Sequence, residues 1–170
     1  ALVANTSAGM YVQTKRSAER RLVDIPATGP LFLLRLGTVF GPSPHMRWDL
    51  PLHTMVRDAV TTGVITIPDQ PMWRPWLYLP YLTGFCLDLV NGLQHPVPYS
   101  ADGPLYLSSL NSTLSSLATT VAALVGGRKE VEIRTCPSTD LRNYAVPGLF
   151  HHVFMEDNIK TLIALAKEPV

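Results

Sequence analysis

The run Leu31-Phe32-Leu33-Leu34-Arg35-Leu36 is apolar almost without a break, and that most constrains what this chain can fold into. It is too short for a helix and lacks the alternation of a strand with one wet face. Such a run fits a strand covered on both faces in a parallel sheet. The residues before it, 7–24, recur at helical spacing, with Tyr11, Lys15, Ala18 and Leu22 on one side and Pro26 forbidding much continuation. A helix followed directly by a buried strand predicts an α/β layer.

The rest of the chain repeats that theme. Residues 37–49 read as a loop rich in glycine and proline, with Gly41-Pro42 and Ser43-Pro44 as turn signals. Pro51 suits the first turn of a helix whose inner face is Leu52, Met55, Val56, Ala59 and Val60, stopped by Gly63. A short strand is predicted over 64–67, a loop over 68–75, and a strand at Trp76-Leu77-Tyr78-Leu79. Leu82, Cys86, Leu89, Val90 and Leu93 mark the apolar face of a further helix, closed by Gly92 and Pro96. Leu105-Tyr106-Leu107 predicts a strand, and Asn111 or Ser112 can cap a helix with Leu114, Leu117, Ala118, Val121 and Val125 inward. Gly126-Gly127 end that helix, Val131, Ile133 and Thr135 alternate as a half-exposed strand, and 156–167 form a last helix. In that helix Ile159, Leu162, Ile163 and Ala166 face inward.

Apolar residues make up 46% of the chain and charged residues only 16%, against roughly a quarter in an ordinary domain. The net charge is +1 and no basic stripe exists, which excludes a phosphate-backbone binder; we expect no nucleic-acid partner. No apolar run approaches a membrane span, and Cys86 and Cys136 show neither metal-ligand nor redox spacing. The expectation is a reduced, cytoplasmic setting, in which the sequons at Asn5 and Asn111 carry no sugar. His151-His152 with Glu156 lack a third ligand at a convincing distance, and His45 and His53 stand alone, so no metal site is expected. The chain opens on Ala1-Leu2-Val3 without a methionine and enters its first helix within a few residues, as the later part of a longer protein would.

The chemistry-bearing pair is Tyr11 and Lys15, one helical turn apart on one face. A phenol is a poor base at neutral pH, with an unperturbed pKa of about 10. A fixed ammonium beside it favours the phenolate and makes it a usable proton acceptor or donor. The same spacing also occurs on ordinary solvated helix faces. No G-x-G-x-x-G, G-x-x-x-x-G-K-[ST] or G-x-S-x-G phrase accompanies it, so the chain has no phosphate cradle and no nucleophile elbow.

Four phrases in order carry a family resemblance. Tyr11-Val12-Gln13-Thr14-Lys15-Arg16-Ser17-Ala18-Glu19 resembles the Y-x-x-x-K helix of the extended short-chain dehydrogenase/reductases, the NAD-dependent epimerase/dehydratase family. Arg35-Leu36-Gly37-Thr38-Val39-Phe40-Gly41-Pro42 is similar to the R-x-x-x-V-[YF]-G-P phrase that ends the following strand. Ser43-Pro44-His45-Met46-Arg47-Trp48-Asp49-Leu50 resembles the S-P-x-x-R-x-D loop of a nucleotide-sugar branch. Ile65-Thr66-Ile67 and Trp73-Arg74-Pro75-Trp76 look like that branch's strand and W-R-P-[FW] phrase. The resemblance spans roughly residues 11–125.

What the resemblance implies is an α/β fold: the C-terminal part of a Rossmann-type parallel sheet domain, joined to a smaller α/β substrate-binding domain. Residues 1–42 would be the late part of the dinucleotide-binding domain. Residues 43–170 would be mainly the substrate domain, with segments returning to the Rossmann sheet. The implied activity is that of an NAD- or NADP-dependent epimerase, dehydratase or reductase acting on a nucleotide-sugar-like substrate, in a protein that forms a homodimer. Tyr11 would be the catalytic acid/base, and Lys15 would hold the nicotinamide ribose and favour the tyrosinate; both would touch the cofactor. Arg74, Arg47, Val39 and Phe40 would lie on the substrate side, Arg74 pairing with the diphosphate through its planar fork of donors. Arg74 also fits a surface arginine stacked between Trp73 and Trp76. Arg47 and Asp49 fit either a substrate loop or a local ion pair, and Arg35 fits a structural role at a strand end.

The sequence departs from the family pattern in places. An aspartate usually stands seven residues after the W-R-P arginine, where this chain has Tyr81, and His45 stands where a basic residue is common. Thr6 and Ser7 are too close to Tyr11 to be the family's third catalytic hydroxyl. The glycine-rich cofactor loop would precede Ala1, so the isolated chain is expected to bind NAD poorly. A non-catalytic or fragmentary member serving as a binding or assembly module is the alternative these departures raise.

Overall fold

The computed structural model describes residues 10–26, 29, 31–92, 104–127, 130–137, 149–150 and 155–167. Along the chain these form α1 (Met10–Val23), β1 (Leu34–Leu36), β2 (Thr38–Phe40), α2 (Pro51–Thr61), β3 (Val64–Pro68) and β4 (Trp73–Tyr78). They continue as α3 (Leu79–Val90), β5 (Leu105–Ser108), β6 (Leu110–Thr113), α4 (Leu114–Gly126), β7 (Glu132–Cys136), β8 (Leu149–Phe150) and α5 (Met155–Lys167). Three small sheets have the orders β1-β5-β8, β2-β4-β6 and β3-β7. The pairs β2–β4, β3–β7 and β5–β8 are parallel and β4–β6 is antiparallel. The chain is thus α/β with parallel pairing, as its alternating patterns require. It divides into two compact units, one built from Ala1–Arg35 and Tyr99–Leu105, the other from Leu36–Pro98 and Tyr106–Val170.

The second unit holds the core. Leu52, Met55, Val56 and Ala59 of α2 meet Leu114, Leu117, Ala118 and Val121 of α4 and Ile159, Leu162 and Ile163 of α5, with Ile65, Ile67, Phe40 and Trp76 from the strands. Each helix arises for a local reason. Pro51 opens α2 with its ring already at a helical φ, and Gly63 follows its end at φ +74°. The Thr113 hydroxyl caps α4 by accepting the Ser116 N–H at 3.1 Å. Glu156 and Asp157 in the first turn of α5 and Lys167 in its last complement the helix dipole. Trp76 is fully buried and its indole N–H donates to the Ser112 carbonyl at 3.3 Å, so the largest side chain of the core is also satisfied.

Several expectations need correction. The run at 31–36 yields a strand of only three residues, and Leu31, Phe32 and Leu36 remain exposed. Burial on both faces needs apolar layers; α1, in the same unit as the start of β1, buries none of its residues and meets Arg35 through an ion pair instead. The stretch 37–49 is not all loop, because Thr38–Phe40 pairs with Trp76–Tyr78 as β2. A Cβ at Gly37 would sit 2.9 Å from the Pro75 carbonyl oxygen, a close approach that only glycine permits. Leu79 opens α3 rather than ending a strand, with Pro80 in its first turn. Of α3 only Phe85 is buried, while Val90 is 84% exposed, so the Leu82–Cys86–Leu89–Val90 face is not core among the described residues. The cap of α4 is Thr113, the last residue of β6, rather than Asn111 or Ser112, which lie further inside the β4–β6 ladder. The strand β7 is almost wholly exposed rather than half-exposed. His151, His152, Leu93, Pro96 and the predicted start of α1 lie outside the described residues.

Candidate functional site

In the second unit, β2 and β4 run side by side; β2 ends at Gly41, and β4 passes directly into α3. Phe40, the last residue of β2, is buried with its ring 6.4 Å from Trp76 and 5.4 Å from Tyr78, centroid to centroid. The end of β4 is pinned from the other side: the Ser109 N–H donates to the Trp76 carbonyl at 2.6 Å, and the Tyr78 N–H donates to the Ser109 hydroxyl at 2.9 Å. Directly after Phe40, Gly41 takes φ +131°, where side chains are rarely tolerated. A Cβ there would lie 3.0 Å from the Tyr78 ring. Gly41 therefore turns the chain away from the sheet with no room to spare.

That turn encloses a cavity of about 220 Å³. Val39 and Phe40 line it from β2; Gly41, Ser43, His45 and Arg47 line it from the following loop; Leu50, His53 and Leu79 complete it. Its walls are mainly apolar, with His45, His53 and Arg47 as the basic groups. Drug-sized ligands occupy sites of roughly 300–1,000 Å³, so this cavity is too small for a whole ligand of that size and has room for about one ring.

Arg47 and Asp49 form a bidentate ion pair, Nε to Oδ1 at 2.8 Å and Nη2 to Oδ2 at 2.6 Å. Arg47 holds the Asp49 carboxyl down at about 2, and Asp49 in turn raises Arg47. Of the two readings of this pair, the local ion pair is what the geometry contains, and Arg47 lines the cavity as well.

His53, which stands alone in the sequence, has two partners in the fold. It is buried on α2, and both ring nitrogens are engaged by backbone. The Gly41 N–H donates to Nε2 at 3.2 Å, and Nδ1 lies 2.9 Å from the Arg47 carbonyl oxygen. A carbonyl only accepts, so Nδ1 carries the proton and the ring is the neutral Nδ1–H tautomer. Burial pushes the imidazole below its usual range, outweighing the hydrogen bond to the Arg47 carbonyl and the nearby Asp49 charge. One signal in the sequence pointed inward: His53, Val56 and Val60 share the helical spacing of the α2 core face. Its bonding partners lie 6 and 12 residues upstream in irregular backbone, which no periodicity reveals.

In the first unit, Tyr11 and Lys15 share one face of α1, as the spacing predicted. Tyr11 is 72% exposed, and the Lys15 ammonium lies over its ring, 5.6 Å from the centroid. Arg35 donates to both carboxylate oxygens of Glu19, at 2.9 and 2.7 Å, tying β1 to α1 and holding Glu19 below its ordinary range. The Arg35 side chain thus has a structural partner in Glu19. Val39, Phe40 and Arg47 are therefore brought together at the cavity. Arg74 sits on β4 opposite Ser112 and is not among the cavity's lining residues. Tyr81, at the position of the absent aspartate, is half-buried on α3 with its ring 6.5 Å from Phe85, and burial raises its phenol. Among the described residues no three His, Cys, Asp or Glu gather as metal ligands, and no helix is long and apolar enough to cross a membrane. Cys86 and Cys136 are free thiols, both partly exposed.

No family model and no curated protein matches the sequence. Solved structures do match. The fold is similar to that of an NAD-dependent NDP-hexosamine 5,6-dehydratase, TunA, of tunicamycin biosynthesis, with a TM-score of 0.67 and 13% identity over 94% of this chain and 52% of that one. It is similar to dTDP-glucose 4,6-dehydratase from Bacillus anthracis, with a TM-score of 0.69 and 16% identity over 92% of this chain and 51% of that one. A UDP-N-acetylglucosamine 4-epimerase from Methanobrevibacter ruminantium gives 0.66 and 15%, over 91% and 52%. The fold resembles one half of these enzymes. The chain spans about half their length, and identities this low speak to the fold alone.

Proposed function

We propose that the chain is the catalytic-helix and substrate-binding part of an NAD(P)-dependent epimerase, dehydratase or reductase acting on a nucleotide-linked sugar. The observation that carries this reading is the conjunction of a dehydratase-like fold over more than nine-tenths of the chain with Tyr11 and Lys15 one turn apart on an accessible helix face. In this reading residues 1–42 belong to the dinucleotide domain and 43–170 mainly to the substrate domain.

The residues present suit one end of the cofactor. An exposed ammonium with three donors, next to an exposed phenol, fits ribose hydroxyls, whereas the sequence has no glycine-rich loop for the diphosphate. The nicotinamide, when bound, supplies hydride exchange. Tyr11 exchanges a proton with a substrate hydroxyl at its phenolic oxygen, and Lys15 orients the ribose and stabilises the phenolate. In the second unit, the cavity beside Val39 and Phe40 has room for about one ring of a ligand, and Arg47 offers a cation at its wall once its bond to Asp49 is shared. Arg74 pairs with the diphosphate from β4. The exposed Met10, Val12, Leu22 and Val23 of α1 fit a homodimer in which this helix is covered.

The test uses the protein with whatever residues are encoded ahead of Ala1, supplied with NAD or NADP and a panel of nucleotide sugars. Turnover lost in Tyr11→Phe with cofactor and nucleotide-sugar binding kept, and turnover lost in Lys15→Met with weakened cofactor binding, support the reading. Absence of cofactor binding, with Tyr11→Phe indistinguishable from wild type, sinks it. The replacement of the usual aspartate by the half-buried Tyr81 favours a second reading, a binding module without turnover. Nucleotide-sugar binding unaffected by Tyr11→Phe, with no turnover, would select it.

A further inference from the structure

We propose that His53 is a positioning residue that latches the cavity loop by a proton-dependent pair of backbone hydrogen bonds, closed when the imidazole is neutral and opened at its Gly41 end when the imidazole takes up a proton. The inference holds whatever the cavity binds.

The geometry is specific. A single side chain spans the loop from Gly41 to Arg47, accepting at Nε2 and donating at Nδ1, and it does so from α2, whose inner face is part of the core. The segment it brackets carries Ser43 and His45, and its two ends, Gly41 and Arg47, also line the cavity. Only the neutral Nδ1–H ring satisfies both partners. A proton arriving at Nε2 sets an N–H against the Gly41 N–H; that bond breaks, while the bond from Nδ1–H to the Arg47 carbonyl gains charge assistance. Opening is therefore one-sided. The Gly41 turn is freed and the Arg47 end stays attached.

The groups around the ring set the direction. Asp49 is the nearby anion, but its charge is bonded to Arg47. The Trp48 ring stands edge-on at 6.1 Å and carries no charge. His45 lines the same cavity, and on α2 itself Arg57 is engaged with Asp58 and the Trp48 carbonyl. Desolvation dominates, so the folded chain takes up the proton less readily than the unfolded one. The latch then contributes fully above the unfolded value of 6.5 and is lost as pH falls through the lower folded value.

The experiment is nitrogen-15 NMR of the full 170-residue chain, reading the His53 ring and the Gly41 amide from about pH 8 to about pH 5. At the upper end the ring should show the Nδ1–H tautomer. After correction for intrinsic exchange, Gly41 protection should fall about tenfold across the titration, the amount one net hydrogen bond supplies. His53→Asn places an amide donor near the Nδ1 position and nothing at Nε2. It should show low Gly41 protection at every pH, with the Arg47 end intact. An Nε2–H or charged ring at neutral pH overturns the proposal, and so does Gly41 protection in the wild type that does not change with pH. Wild-type pH dependence persisting in His53→Asn overturns it as well. If that variant does not fold, the two wild-type measurements decide alone.

Discussion

Gly41→Ala should unfold the cavity-bearing unit at markedly lower denaturant. Two costs add at this position. Holding an L residue at φ +131° costs roughly 1–3 kcal/mol. The new methyl would meet Tyr78 Cε2 at 3.0 Å, Tyr78 Cδ2 at 3.1 Å and Pro80 Cδ at 3.3 Å, and crowding of that kind costs roughly 1–3 kcal/mol more. Tyr78 cannot retreat freely, because its backbone N–H is tied to Ser109 and its ring is packed on Phe40. The sum, roughly 2–6 kcal/mol, lowers a urea midpoint by about 1–3 M at a slope of about 2 kcal/mol per M. Tryptophan fluorescence is the suitable probe, since Trp48, Trp73 and Trp76 all lie in the second unit and report on it alone. Gly84→Ala is the control. Gly84 lies inside α3 with nothing within 4 Å of its Cβ position, so alanine there should raise stability by about 1 kcal/mol through helix propensity. A Gly41→Ala midpoint equal to wild type, with an unchanged slope, would refute the account of the turn.

Two further outcomes follow from the same geometry. Thr113→Ala removes the hydroxyl that accepts the Ser116 N–H, and should cost about 1 kcal/mol in the same urea titration, whereas Thr113→Ser should cost much less. Asp49, held at about 2 against an ordinary 3.8, should stay ionised and paired with Arg47 until the pH approaches 2. Whatever the pair contributes is therefore present above 3.8 and lost as pH falls through about 2; carbon-13 titration of the carboxyl checks this, and Arg47→Ala should return it toward its ordinary value.

The chain's own sequence determined those parts of the fold that depend on near neighbours. The spacing of Leu52, Met55, Val56 and Ala59, of Leu114, Leu117, Ala118 and Val121, and of Ile159, Leu162 and Ile163 marks faces that are buried in the structure, because helical geometry turns sequence spacing into one side of a cylinder. Pro51 and Gly63 set the limits of α2 for equally local reasons, and Tyr11 and Lys15 share a face because four residues make about a turn.

Tertiary structure decided the rest. An apolar stripe says that a face seeks burial but not that a partner is there, so the Leu82–Val90 face of α3 and the 31–36 run are only partly covered among the described residues, with Val90, Leu31, Phe32 and Leu36 exposed. Thr38–Phe40 became a strand because β4 lay alongside, and Thr113 became a cap because β6 ends there and α4 follows directly. The sequence left Arg47 between a substrate loop and a local ion pair, and only the fold shows that it is paired with Asp49 and also lines the cavity. His53 shows the limit best. A lone histidine in a helix has no local signature of its task, since a bond's partners are chosen by distance in space, and only the fold brings Gly41 and Arg47 to its two nitrogens.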